Sequence, residues 1–217
     1  MLFILLPILL AAVFVPFTTT ERFAVPITPH DTYSSSVGVL GCKINTNRVA
    51  YWPSSVGCES LCVRVCYGGR SVTLLHVDTS GGAHDISYDA WNYLVTGFSA
   101  IERPVFGGAV SMSYEFVDMS SCADLFLDGR LPLSAANSVN YVSGCLEDAG
   151  SWVADHFILF NIYDPVCAYG VDEVCTLNWP QNNQPACPNS TLGVQTPLLN
   201  HTFYNIEYGT GRQVEAN

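Results

Sequence analysis

Between Asp31 and Cys122 the hydrophobic positions recur in short runs broken by Gly, Ser and Asn, a rhythm of strands and turns rather than long helices. Leu61-Cys62-Val63-Arg64-Val65-Cys66-Tyr67 alternates and predicts one strand. Ser71-Val72-Thr73-Leu74-Leu75-His76-Val77-Asp78 predicts a second, more buried one, with Gly68-Gly69 between them as a two-residue hairpin turn. Thr79-Ser80-Gly81-Gly82 reads as a loop. Ser87 then caps a short helix from Tyr88 to about Val95, with Asp89 in its first turn and Gly97 past its end. Tyr88, Trp91 and Leu94 fall broadly on one helix face, so Trp91 is expected in the core. A linker holding Pro104 and Gly107-Gly108 leads to a strand from Ala109 to Val117, closed by Cys122.

Beyond Cys122 the pattern changes. Ser134 to Gly144 reads as a capped helix, and Ser151 to Tyr163 as a strand with Phe157-Ile158-Leu159-Phe160 buried. Cys167, Cys175 and Cys187 follow among polar turns. The organisation expected is a leader over 1–20, a β core over 31–122, a disulfide-linked extension packed on it over 123–190, and a loose tail over 191–217.

The first twenty residues carry no charge, and their apolar run ends at Phe17 after interruption by Pro7 and Pro16. That is short for a span of about 20 residues, and no basic flank follows. A cleaved signal peptide is the better reading, with cleavage between Phe17 and Val25, although no Lys or Arg precedes the apolar core. The protein is therefore expected to be secreted, monomeric and off the membrane once cleaved.

Only 12% of residues are charged, against about 25% in ordinary globular domains. Eight Lys+Arg face nineteen Asp+Glu, for a net charge of −11. Nucleic acid is excluded as a partner, because phosphate binding needs a basic footprint. With 49% hydrophobic residues, the chain has enough apolar surface to fold.

Nine cysteines, Cys42, Cys58, Cys62, Cys66, Cys122, Cys145, Cys167, Cys175 and Cys187, imply a disulfide framework with one thiol unpaired. Cys58, Cys62 and Cys66 are evenly spaced, but no second tight pair accompanies them, so no metal or other cofactor is expected. Acceptor sequons at Asn189 and Asn200 fit a secreted glycoprotein.

The order Asp78, Gly-rich loop, His84-Asp85-Ile86-Ser87, then Ala90-Trp91-Asn92-Tyr93-Leu94, resembles the core of expansins and their relatives. Gly108 to Val117, leading to a cysteine, is similar to their closing strand. The likeness covers residues 38–122, under half of the chain. It implies a mainly β fold, a six-stranded double-psi β-barrel with short helices, here with a disulfide-fastened extension in the style of small secreted fungal proteins. Barwin-like defence proteins, kiwellins and certain endoglucanases share that barrel, commonly in contact with cell-wall polysaccharide.

On this resemblance Asp85 matches the acidic groove residue of expansins and the general acid of the endoglucanases, and Asp78 the Asp ending the preceding strand. Inverting hydrolysis needs a second carboxylate about 6.5–9.5 Å from the acid. The endoglucanases draw it from a Tyr-Trp-Asp segment, whereas here Tyr51-Trp52 is followed by Pro53. The catalytic candidates therefore reduce to Asp85 and Asp78, and hydrolysis is not expected. Tyr51 and Trp52 are candidates to stack on sugar rings, and His84 to bond a hydroxyl. The same residues have bland readings, as barrel-end packing for the aromatics and turn chemistry for the aspartates. Three functions follow: a non-hydrolytic module that binds or loosens polysaccharide, an effector or defence-type factor binding an extracellular host protein, and a weak endoglucanase.

Overall fold

A computed structural model describes residues 23–126, 128–148 and 150–217. The leader read over 1–20 lies outside them. Six strands close a barrel: β1 (Phe23–His30), β2 (Val49–Trp52), β3 (Cys62–Tyr67), β4 (Arg70–Thr79), β5 (His84–Ser87) and β6 (Val110–Phe116), in the order β1-β5-β2-β4-β3-β6 with β6 returning to β1. β1/β5 and β2/β4 are parallel and the remaining pairs antiparallel. Two parallel pairings between strands distant in sequence require crossed connections, and these make the barrel double-psi.

The β3–β4 hairpin turns where the sequence places it. Gly68 and Gly69 have φ of 55° and 79°, the left-handed pair that matches strand twist in a two-residue loop. Helix α1 (Tyr88–Thr96) ends at Gly97, whose φ of 87° lets its N–H reach the Tyr93 carbonyl at 2.8 Å. Arg70 reinforces that end, donating to the carbonyls of Leu94 at 2.7 Å and Val95 at 2.9 Å. Ser87 precedes the helix but makes no side-chain cap, and its hydroxyl is buried without a partner among the described residues. The first turn is held by Asp89 instead, which accepts from Arg48 at 2.8 Å and the Ala100 N–H at 2.7 Å.

Alternation along the strands divides the apolar residues between two cores. Ile27, Ala50, Trp52, Val63, Leu74, Ile86 and Met112, from all six strands, fill the barrel and meet Trp91 and Leu94 of α1. The opposite parity, Val49, Tyr51, Cys62, Leu75 and Val77, packs outward against Leu131, Leu133, Val142, Val153 and Leu159 of the extension. β4 reads as a continuous buried run because both its faces are covered.

Several boundaries differ from expectation. The barrel begins at Phe23 rather than Asp31, because β1 seals it between β5 and β6. Leu131–Ser134 is a strand, β7, pairing in parallel with β8 (Phe157–Ile162), and β9 (Gly170–Cys175) completes the sheet. The helix expected from Ser134 therefore starts later, as α2 (Val139–Glu147), and α3 (Trp152–His156) occupies the first part of the expected Ser151–Tyr163 strand. Residues 191–217 are not a loose tail. They carry the hairpin β10 (Tyr204–Ile206) and β11 (Gln213–Glu215), with Ile206 buried against the barrel core.

Four disulfides pin the layers: Cys42–Cys167, Cys58–Cys145, Cys62–Cys122 and Cys175–Cys187. Cys66 is the free thiol. Cys58 and Cys62 are thus in separate bridges, which leaves the evenly spaced trio unable to act as metal ligands. Among the described residues, no helix is long and apolar enough to cross a membrane.

Candidate functional site

The five side chains singled out from sequence separate into two groups on opposite sides of the barrel wall. Register aligns Thr28 with Asp85, Asp85 with Tyr51, and Tyr51 with Asp78, a row across β1, β5, β2 and β4. Trp52 and His84, each one residue away, have the other parity. They meet end-on at 5.1 Å between ring centroids, with Tyr114 5.4 Å from Trp52. Strand alternation dictates this: adjacent residues of one strand cannot share a face.

Within the row the two aspartates differ. Asp78 Oδ1 accepts the N–H groups of Ser36 at 2.9 Å and Thr79 at 2.8 Å, while Oδ2 accepts the Ser34 hydroxyl. Both its oxygens serve to dock the 34–36 segment. Asp85 is half-buried, accepts the Thr28 hydroxyl on Oδ1, and receives no donor on Oδ2 from the described residues.

Tyr51 is 4% exposed. Burial raises its phenol far above the ordinary range, and Asp78 and Asp85 push the same way, so it stays neutral. Its hydroxyl donates to the Thr32 carbonyl at 3.4 Å and its ring meets His30 at 4.7 Å. Trp52, at 1% exposure, is flanked by strands on both sides and presents no face to solvent. The sugar-stacking role expected of Tyr51 and Trp52 therefore does not fit their burial. Burial also lowers the pKa of His84, partly opposed by the Asp85 charge.

Beside the row lies an open cleft of about 330 Å³ lined by Thr28, Pro29, His30, Asp31, Gly107-Gly108 and Tyr208. Sequence reasoning missed its aromatic wall. Tyr208 follows β10 and is anchored by its own N–H to Asp31 at 3.0 Å, and its hydroxyl both accepts from the Gly107 N–H at 2.7 Å and donates to the Gly107 carbonyl. Phe106, 74% exposed, stands edge-on to Tyr208 at 5.4 Å. The signal was present in the alternating Tyr204-Asn205-Ile206 and Gln213-Val214-Glu215 around Gly209-Thr210-Gly211, a hairpin pattern in the presumed tail.

The sequons sit on the surface. Asn189 is exposed, with its side-chain amide donating to Glu173 at 3.0 Å, and Asn200 is exposed in the left-handed region at φ 67°. Among the described residues no group of three or more His, Cys, Asp or Glu is arranged to hold a metal ion.

No family model matches the chain, and no curated protein matches its sequence. Solved structures of similar fold include cerato-platanin 3 from M. perniciosa, with 16% identity over 46% of this chain and 98% of that one, at a TM-score of 0.34. The fungal elicitor cerato-platanin has 21% identity over 45% and 96%, at 0.33. The Streptomyces papain inhibitor has 18% over 45% and 94%, at 0.29. The overlap is with less than half of this chain and nearly all of each neighbour.

Proposed function

We propose that this protein is a secreted module that binds cell-wall polysaccharide, and loosens it, without hydrolysis. The observation that carries the reading is a carboxylate, Asp85, bonded to Thr28 at the wall of a cleft that Tyr208 also lines, with the exposed Phe106 edge-on to Tyr208 beside it. A pyranose offers hydroxyls that suit Asp85 and a CH face that suits the two rings. Four disulfides support an oxidising, extracellular site of action.

Hydrolysis is disfavoured by the state of the second carboxylate. Asp78 spends both oxygens on backbone and serine donors, and Pro53 stands where a base is required. The reading as an effector or defence-type factor binding a host protein draws on Phe98, Ile101 and Phe106, exposed by 45%, 50% and 74% along one linker.

Depletion from solution onto insoluble cellulose, xylan, β-glucan and chitin tests the proposal, with Asp85→Ala and Phe106→Ala beside the wild type. Both variants are expected to lose at least fivefold in retention while keeping the wild-type melting temperature within a few degrees. Unchanged retention in both would remove the cleft from the binding surface and leave the barrel as scaffold for a protein partner.

A further inference from the structure

A larger cleft, about 610 Å³, opens where the end of the barrel meets the extension. It shares no lining residue with the cleft between Thr28 and Tyr208. Phe116 and Asp118 come from the exit of β6, Glu59 from the approach to β3, Phe126 from the turn before β7, and Trp152 and His156 from α3.

Its aromatic wall is a continuous stack. Phe126 and Trp152 lie 5.4 Å apart at 29°, and Trp152 and His156 lie 4.8 Å apart at 2°. The His156 Nδ1–H donates to the Trp152 carbonyl at 2.8 Å, fixing that ring over the indole. Phe126 is largely buried at 8% exposure, while Trp152 and His156 are half-buried and leave part of their ring surface to the cleft.

Two carboxylates, Glu59 and Asp118, line the cleft beside Ser60, Ser120 and His156. Glu59 Oε1 accepts the Trp152 N–H at 3.1 Å, and Asp118 Oδ1 accepts the Ser120 N–H at 2.9 Å. Hydrogen bonds from Ser120 hold the Asp118 carboxyl below the usual carboxylate range. Among the described residues, no Lys or Arg lines the cleft to offset these charges.

The walls are also fixed in advance. Cys58, beside Glu59, is bonded to Cys145 of α2, and the Val153 N–H of α3 donates to the Cys58 carbonyl at 3.0 Å. Cys62–Cys122 ties β3 to the segment that carries Asp118 and Ala123. A site held this way loses little freedom on binding.

We propose that this cleft is a second saccharide site, selective for oligosaccharides of unacetylated amino sugar. A pyranose CH face suits the half-exposed Trp152 and His156 rings, and the ammonium that an amino sugar carries on its ring suits the carboxylates of Glu59 and Asp118. A uronic acid would meet two like charges. A neutral or N-acetylated sugar would stack but leave the carboxylates without a cation. The site is independent of the Asp85 cleft and does not need that reading to hold.

Calorimetric titration of the whole mature protein with a β-1,4-linked glucosamine tetrasaccharide, its fully N-acetylated counterpart, and spermidine tests the proposal. The amino tetrasaccharide is expected to bind at least tenfold tighter than the acetylated one, with the advantage shrinking several-fold between 0.05 and about 0.5 M NaCl as screening grows. The double variant Glu59→Gln, Asp118→Asn keeps an oxygen acceptor for both backbone N–H groups. It should fold as wild type and lose the preference for the amine, whereas Glu215→Gln, at an exposed carboxylate on β11 outside both clefts, should retain it. Equal affinity for the two tetrasaccharides, or no binding of the amino form, would overturn the proposal. So would spermidine binding as tightly as the amino tetrasaccharide, or a preference kept in the double variant.

Discussion

Trp91 lies with the end of its indole against Gly107, leaving no space for a β-carbon there. The contact joins the buried side of α1 to the lip of the cleft between Thr28 and Tyr208, where Gly107-Gly108 forms one edge. Core packing thereby sets the position of the proposed binding surface. Gly107→Ala is expected to cost about 1–3 kcal/mol, the usual range for overpacking, and to weaken polysaccharide retention by shifting the lip. Thermal melts and glycan depletion on the same preparation check both effects.

Trp91 and Trp52 are each 1% exposed inside the barrel core. Truncation of either to Ala should cost about 3–5 kcal/mol. The informative case is Trp52→Ala: loss of glycan retention with an unchanged melting temperature would contradict its burial and restore it as a contact residue.

The two aspartates of the row should separate cleanly. Asp78→Ala removes three hydrogen bonds to the 34–36 segment and Thr79, and is expected to cost about 1–3 kcal/mol. Asp85→Ala should stay within about 1 kcal/mol of wild type, since it breaks one bond, from Thr28. Denaturant titration of both variants decides the assignment. Assays for reducing-sugar release from cellulose, xylan, chitin and β-glucan should show none above background for wild type.

His76 is 1% exposed, and burial lowers its pKa to about 4, opposed in part by its bond to the Asp78 carbonyl at 2.9 Å. The unfolded chain, near 6.5, then binds the proton where the folded chain does not. Stability from this group is complete above about pH 6.5 and is lost as the pH falls toward 4, by an amount on the order of 3 kcal/mol. Urea melts at pH 4.5, 5.5 and 7 should show a shallower pH slope for His76→Gln than for wild type. Equal slopes would mean that this imidazole already titrates normally.

Much of the barrel is legible in local patterns. The β3–β4 hairpin and α1 follow from alternation, the Gly68-Gly69 pair and Gly97. β1 is harder to see because Pro26 and Pro29 interrupt it. It is a strand because β5 and β6 each need a partner to close the wall. Ser134 illustrates the opposite failure. It resembles a helix cap, but parallel pairing of Leu131–Ser134 with Phe157–Phe160 outweighs the local preference. The aspartate row could be approached from sequence, while the Phe106–Tyr208 wall could not, since it joins positions about a hundred residues apart.

Among the cysteines, thiol counting under denaturation should find one free group, and peptide mapping should place it at Cys66. Non-reduced digests should yield the pairs 42–167, 58–145, 62–122 and 175–187. Three or more free thiols would refute this framework.

Cys62 and Cys66 stand on the same side of β3, and only the first is bonded to Cys122. In order of synthesis Cys42, Cys58, Cys62 and Cys66 all emerge before any of their partners, and the first partner to appear is Cys122. Four thiols then compete for one, and proximity along the chain favours Cys66, which is the wrong choice. What selects Cys62 is the docking of β6 beside β3, with Val63 opposite Phe116 and Val117 bonded to the Cys62 carbonyl. The correct bridge therefore reports that β6 has docked beside β3, and Cys66, four residues further along the same strand, is left outside the disulfides.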